Sequence, residues 1–297
     1  MKYSLTYYLT LFVLKLKGIK KAFSQDPIDY AKIRKEDVLT PKGKFFKHHV
    51  LNTFKVLDSK VTEIGTNVDS NKLLLFIHGG AFISGPAQHH WDSIKSIAQT
   101  TEYKIWLCDY PKAPENKIPA ITGNIDAVYS KALEEFNSSN ICLMGDSVGG
   151  NLVITLVQRL IKSKTSLPKK LFLISPVMDA SLSNPEIARV EKIDPMLSIK
   201  GIVSAKKMCA GKINLKNPIL SPIYGSFEQF PPTVLFLAQN DIMYPDQQLL
   251  VKKLEDEHVD SEVIEGVDMP HIWPLLPIMK EAKKALNQMI NILNANT

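Results

Sequence analysis

From Leu73 onward, short apolar runs alternate with stretches whose apolar positions recur every three or four residues. The runs at 73–77, 104–108, 141–144, 171–174, 234–238 and 262–264 predict strands, and the segments 91–100, 119–136, 151–163, 245–257 and 274–293 predict helices. Uninterrupted apolar strands separated by helices predict an α/β fold with a mostly parallel sheet flanked by helices on both faces. Residues 50–64 alternate in polarity and predict an antiparallel hairpin at the sheet edge. Between 179 and 230 the alternation stops, leaving helical fragments and prolines. That stretch cannot pair into a sheet and must bury its apolar positions elsewhere, so it predicts a helical cap over the carboxyl edge of the strands. The expected organisation is an N-terminal cap segment (1–45), a core in two parts (46–180 and 230–297) and a cap insertion between them (181–229).

Residues 5–14 form an apolar-leaning run followed by Lys15, Lys17, Lys20 and Lys21. It is too short to span a bilayer, which takes about 20 apolar residues. Only Lys2 precedes the run, and no small-residue cleavage site comes after, unlike a secretory signal. The run predicts a helix packed on the main domain, with a membrane-surface helix over residues 3–21 or an export segment as alternatives. The chain is expected in the cytoplasm, or associated with a membrane through residues 3–21, and a homodimer is left open.

With 45% hydrophobic and 22% charged residues in 297, the chain has an ordinary globular makeup. Its formal charge of +6 comes from scattered lysines, without an arginine-rich stripe interleaved with aromatics, which argues against nucleic-acid binding. Cys108, Cys142 and Cys209 show neither metal-ligand nor redox spacing and are expected to act as small buried hydrophobes in a reducing compartment.

Chemistry concentrates at strand ends. The stretch "NICLMGDSVGGNLVITLVQRL" holds Gly145-Asp146-Ser147-Val148-Gly149, a G-x-S-x-G pattern. Alone it is weak, but an apolar strand precedes it and a helical stripe of Leu152, Val153, Leu156, Val157 and Leu160 follows. Strand, sharp turn and helix is the setting of a nucleophile elbow, which presents a serine hydroxyl at a helix N-terminus. A serine needs a base, and the base an orienting acid. Only His258 and His271 follow Ser147; His258 lies at a charged helix end, whereas His271 lies in a loop directly after the last predicted strand. Asp241 ends the apolar run "TVLFLAQND" and is the preferred acid. Asp246 reads as an exposed first-turn charge, and Asp268 is too near His271 in sequence for the usual geometry. The glycine loop "LFIHGGAFISG" then finds its reason: N–H groups of Gly80 and Ala81, with that of Val148, can converge on an oxyanion. His78, Gly79, Gly145, Asp146 and Gly149 are expected to support this machinery.

Over residues 70–290 the chain resembles the hormone-sensitive-lipase-like esterases, an α/β-hydrolase family that includes bacterial acetyl esterases and arylacetamide deacetylases. The resemblance rests on "HGGAFISG", "YPKAPENKIPA", "GDSVGGN", "SPVMD", "NDIMYPD" and "PHIW", in the family's order. It implies Ser147 as nucleophile, Asp241 as acid and His271 as base, with Asp146 and Glu115 in structural roles. The chain departs from the family where Ala81 replaces a third glycine, Lys112 a leucine, and Ile272-Trp273 a glycine-phenylalanine pair. None of these removes a catalytic atom.

The expected activity is therefore carboxylic-ester hydrolysis through an acyl-enzyme, without metal or cofactor, on a small-molecule ester. Amide hydrolysis with the same residues and a catalytically silent binding protein are the alternatives. Bulky cap residues such as Ile193, Met196, Ile199 and Met208, with Ala81 and Trp273, predict a small pocket suited to short- and medium-chain acyl groups. Turnover is expected to rise with pH through a midpoint near ~6.5, the ordinary value for a histidine base.

Overall fold

The computed structural model describes residues 2–295. Before the sheet, the chain forms four helices: α1 (Leu5–Leu16), α2 (Ile19–Ala22), α3 (Tyr30–Ile33) and α4 (Lys44–His49). Strands β1 (Val50–Val56) and β2 (Ser59–Ile64) make the expected edge hairpin, turning at Leu57-Asp58. The alternating core then runs through β3 (Leu73–Ile77), α5 (Gln88–Thr100), β4 (Lys104–Asp109), α6 (Ile118–Glu135), β5 (Ile141–Asp146), α7 (Val148–Ser163) and β6 (Lys170–Ile174). The stretch 179–230 contains α8 (Ile187–Glu191), α9 (Ile199–Ala210) and a 3₁₀ turn at Pro222–Tyr224, with no strand. The chain closes with β7 (Thr233–Asn240), α10 (Tyr244–Asp256), β8 (Ser261–Pro270) and α11 (Lys280–Ala295).

One 8-stranded sheet results, ordered β1-β2-β4-β3-β5-β6-β7-β8. Only the pairings of β2 with β1 and with β4 are antiparallel. Every residue of β3 and β5 is buried, as a central parallel strand covered on both faces requires. The edge strand β1 has only half-buried and exposed positions. Helices α6, α7 and α10 pack on one face, and α5 and α11 on the other. The order reverses between β3 and β5, so the carboxyl ends of these central strands open a crevice at the switch point.

Two boundaries differ most from the sequence reading, by six residues each. The predicted helix 274–293 starts only at Lys280, because Pro277 forces Leu276 into an extended conformation (φ −84°, ψ 104°); before it, Trp273–Leu275 make a separate 3₁₀ turn. β8 runs through Pro270 instead of ending near Ile264, because a bulge between Ala238 and Asn240 lets it keep pairing with β7. That extension carries the chain to His271.

The N-terminal helix α1 is fastened to the core. Ser4 caps it, and both its N–H and its hydroxyl donate to the Glu281 carboxylate at 2.7 Å. Tyr7 is buried and its hydroxyl donates to the Asp268 carbonyl at 3.0 Å. Among the described residues, no helix is long and apolar enough to cross a membrane.

Candidate active site

Ser147 stands between β5 and α7 with φ 53° and ψ −120°, a conformation that costs a non-glycine residue of order 1–3 kcal/mol. Its surroundings hold it there. The Ser147 N–H donates to the Ile174 carbonyl at 2.8 Å, and its carbonyl accepts from Val177 and Asn151 N–H. A Cβ on Gly149 would run into the Ile77 carbonyl, and one on Gly145 into Gly149 itself, so the flanking glycines are needed for close approach. The serine lies at the N-terminus of α7, where free N–H groups favour negative charge.

The glycine loop curls beside this turn. Gly80, Ala81 and Phe82 all have positive φ (117°, 55° and 64°). Among the described residues, the N–H groups of Gly80, Ala81 and Val148 donate to no protein atom. The sequence-derived set of oxyanion donors is thus uncommitted within the chain. Gly79 N–H is used instead to fix the loop, donating to Asp146 Oδ1 at 2.9 Å. Burial works to raise the Asp146 carboxyl, but the His90 and His89 rings and the Gly79 N–H hold it down, to about 2. His78 stacks on Tyr110, whose hydroxyl donates to the His78 carbonyl at 2.9 Å, and burial lowers the pKa of this imidazole.

His271 and Asp241 are brought together. His271 Nδ1 meets Asp241 Oδ2 at 2.6 Å, with both side chains buried. The other Asp241 oxygen accepts from Met243 N–H at 2.9 Å, which fixes the carboxylate plane. Burial works to lower the His271 pKa, yet the Asp241 carboxylate, with smaller help from Asp194 and Asp146, raises it above the ordinary histidine value. The expectation of an unshifted base is therefore corrected: a carboxylate in a dry site favours the imidazolium. His271 is also tied towards the serine turn. Ile272 N–H donates to Ser175 Oγ at 3.1 Å, and Ser175 directly follows Ile174, the acceptor of the Ser147 N–H.

Several contributors were not singled out from the sequence. Arg34, in the N-terminal segment, donates to the Ile83 carbonyl at 2.7 Å and the Ala113 carbonyl at 2.6 Å while pairing with Glu115. Nearby, Asp37 accepts from Gly85 N–H at 2.7 Å. The glycine loop is thus held by a strap distant in sequence, and only the tertiary fold reveals it. Asp194 is buried in the loop after α8, accepting from Met196 and Leu197 N–H on one oxygen and from Ile242 N–H, beside Asp241, on the other. Burial, then the Asp241 charge, raises its carboxyl to about 6. The Asp-Pro step at 194–195 signals a turn in the sequence, but nothing there places it against the acid loop.

His89, His90 and Asp146 offer ligand atoms all within 4.8 Å of one another. Ala87 N–H donates to His90 Nδ1 at 2.8 Å, so the ring proton sits on Nε2, which faces Asp146 at 3.2 Å. A protonated Nε2 offers no lone pair, so the trio reads as a support for the glycine loop and not as a cation's donor set.

Two further expectations are corrected. Asp246 is buried, not an exposed first-turn charge; it accepts from Asn184 Nδ2 at 2.9 Å because the 179–230 stretch covers the start of α10. Ile193 is exposed and faces solvent, so it cannot narrow a pocket, whereas Met196 is buried. Among the remaining candidates, His258 is exposed and Asp268 pairs with Lys2 and Tyr3 near the surface.

A family model for the α/β-hydrolase fold matches residues 74–275. The chain belongs to the α/β hydrolases. An esterase from Acinetobacter venetianus is 29% identical over 232 residues, 75% of each chain. A Staphylococcus aureus protein of known structure, provisionally assigned as an esterase, superposes with a TM-score of 0.84 at 28% identity, over 92% of this hydrolase and 95% of that chain. An esterase from the bacterial hormone-sensitive lipase family shares the fold, with a TM-score of 0.87 at 22% identity over 100% and 99% of the two chains. The resemblance to hormone-sensitive-lipase-like esterases is borne out.

Proposed function

We propose that this hydrolase cleaves short- to medium-chain carboxylic esters through an acyl-enzyme on Ser147. Ser147 Oγ attacks the ester carbonyl as His271 takes its proton, and Asp241 holds the imidazole in the accepting tautomer and balances the imidazolium. The N–H groups of Gly80, Ala81 and Val148 stabilise the tetrahedral oxyanion. His271 then protonates the departing alkoxide, and water repeats the sequence to release the acid. The observation that carries the reading is the buried 2.6 Å contact between His271 Nδ1 and Asp241 Oδ2, on the loop tied to the serine turn. Labelling of Ser147 by a fluorophosphonate tests the nucleophile, and an unlabelled native enzyme would overturn it.

The acyl preference follows from what surrounds the turn. Ala81, with a methyl group beside the proposed oxyanion donors, and Met196, in the 181–229 insertion, are both buried. In a fitted pocket each surplus methylene costs only about 1–3 kcal/mol, so the preference is graded, highest for acetyl to roughly hexanoyl esters and falling beyond about ten carbons. A p-nitrophenyl ester series in matched detergent measures it. An optimum at about twelve carbons or more, or activation at an oil–water interface, would mean an open lipase trough. Matched anilides in the same assay decide between ester and amide.

A further inference from the structure

α1 presents two unlike faces. Tyr7 and Thr10 are buried against the core, while Leu5 (71% exposed), Leu9 (47%), Phe12 (61%) and Leu16 (75%) line the opposite side with Tyr8 beside them. Their spacing of four, three and four residues makes one continuous stripe along the helix. Single exposed leucines are ordinary on a protein surface; a contiguous stripe marks a surface for interaction. The stripe cannot turn inward, because Ser4, Thr6 and Tyr7 anchor the helix to Glu281, Lys280 and Asp268.

The charge around the stripe identifies what covers it. Residues 2–25 contain five lysines and no acidic residue. Lys2 is engaged by Asp268, and Lys20 donates to the Glu191 and Asp194 carbonyls. Lys15, Lys17 and Lys21 are exposed at the end of the stripe and make no ion pair among the described residues. A second copy docking here would bring the same lysines without an acid on α1 to meet them. An anionic phospholipid surface supplies both needs: its acyl boundary takes the leucines and Phe12, and its phosphates take the ammonium groups.

We infer that α1 is a docking helix for anionic bilayers, lying flat on the lipid with the Leu5-Leu9-Phe12-Leu16 stripe downward. The inference is independent of the chemistry at Ser147. Docking would bring the histidine loop, bonded to α1 through Tyr7, near the lipid surface, where apolar esters concentrate.

The test is flotation of the full chain with phosphatidylcholine vesicles, with and without phosphatidylglycerol, at low and high salt. Binding is expected to be at least ~10-fold stronger to the anionic vesicles and to weaken with salt. The double variant Leu9→Glu, Phe12→Glu is expected to lose at least ~10-fold in binding while p-nitrophenyl acetate turnover stays near wild type. Lys15→Glu with Lys17→Glu is expected to remove the preference for anionic lipid. Absence of binding to anionic vesicles, or equal binding by the Leu9/Phe12 variant, overturns the inference. So does a concentration-dependent dimer that this variant dissolves without any vesicle binding, which would assign the stripe to a second copy. Loss of ester turnover in the wild type would count against the proposed chemistry and leave the vesicle result standing on its own.

Discussion

β3 and the first four residues of β5 are buried and specified by apolarity alone, whereas the strap around Arg34 and Asp37 holds the glycine loop almost entirely through polar atoms. The sheet decides where the loop and the serine turn begin. The strap decides how the loop is held once it has left the sheet, where no ladder partner remains. Burial is non-directional and tolerates small shifts, while hydrogen bonds to Ile83, Ala113 and Gly85 fix backbone positions closely. A site that needs N–H groups aimed at one oxygen therefore draws on both.

The largest expected effects fall on the sheet-borne groups. Ser147→Ala should lower ester turnover by roughly three to four orders of magnitude with the fold intact, leaving only oxyanion and binding contributions. Asp241→Asn should cost somewhat less, through the wrong histidine tautomer. Steady-state kinetics on p-nitrophenyl butyrate measures both; a folded Ser147→Ala enzyme with near-normal turnover would remove the serine from the chemistry.

This difference between sheet and strap also decided what could be read from the chain. Period-2 and continuous apolar runs announce strands because the pleat imposes them, so six strands and the edge hairpin were visible as patterns. Ser147 was visible because its glycines are sterically required on both sides, and His271 because it follows a strand end. Arg34, Asp37 and Asp194 were not visible, since each acts on backbone atoms tens of residues away and leaves no local periodicity. Asp246 misled for a related reason. Its position after Pro245 fits an exposed helix start, and only the packing of the 179–230 stretch over α10 buries it.

The strap is the next test. In Arg34→Met the carbonyls of Ile83 and Ala113 lose their donor, and the loop carrying Gly80 and Ala81 loosens. Stability should fall by about 1–3 kcal/mol, from the two desolvated acceptors more than from the half-exposed pair with Glu115. The expected change in kcat is about tenfold, with KM nearly constant, because the donors act in the transition state. Glu115→Gln should do much less. Equal losses in the two variants would assign the strap's contribution to the ion pair instead of the carbonyl contacts.

Smaller still is the effect of pH. In the proposed mechanism His271 must be neutral to accept the serine proton, and its pKa is raised, so the protonated form persists above the ordinary histidine value. The rate should rise with pH through a midpoint above 6.5, the unshifted histidine value. Asp241, Asp194 and Asp146 face the ring with negative charge, and the His89 ring lies in the same field. Asp194→Asn should move the midpoint down while the high-pH plateau changes by less than ~10-fold. An asparagine must also turn an NH₂ towards either Ile242 N–H or the Met196 and Leu197 N–H groups, so the melting temperature should drop. An unmoved midpoint would confine Asp194 to holding the loop after α8 against Ile242.

Asp246→Asn should have the smallest effect on turnover, within about threefold, because the carboxylate touches none of the reacting groups. Its signature is in stability instead. Asp246 lies near Lys206, a fully buried lysine whose ammonium donates to the Asp179 carbonyl at 3.4 Å and whose pKa burial lowers to about 8. Burial raises the Asp246 carboxyl, with help from the Asp179 charge; the bond from Asn184 offsets this first, and Lys206 less. Near pH 7 Lys206 is mostly charged, and removing the Asp246 carboxylate leaves its ammonium with one acid fewer. As pH rises through the folded pKa of Lys206, the lysine becomes neutral, and the native enzyme then keeps a buried carboxylate without its counter-ion. The asparagine variant carries neither burden there. Relative to native, the variant should therefore be less stable near neutral pH and should gain ground as pH rises to about 8, by roughly 1 kcal/mol in all. Thermal melts of both proteins at neutral and alkaline pH measure the difference. A constant gap across that range would mean that Asp246 and Lys206 do not sense each other, and that Asp246 acts on the 179–230 stretch through its bond to Asn184 instead.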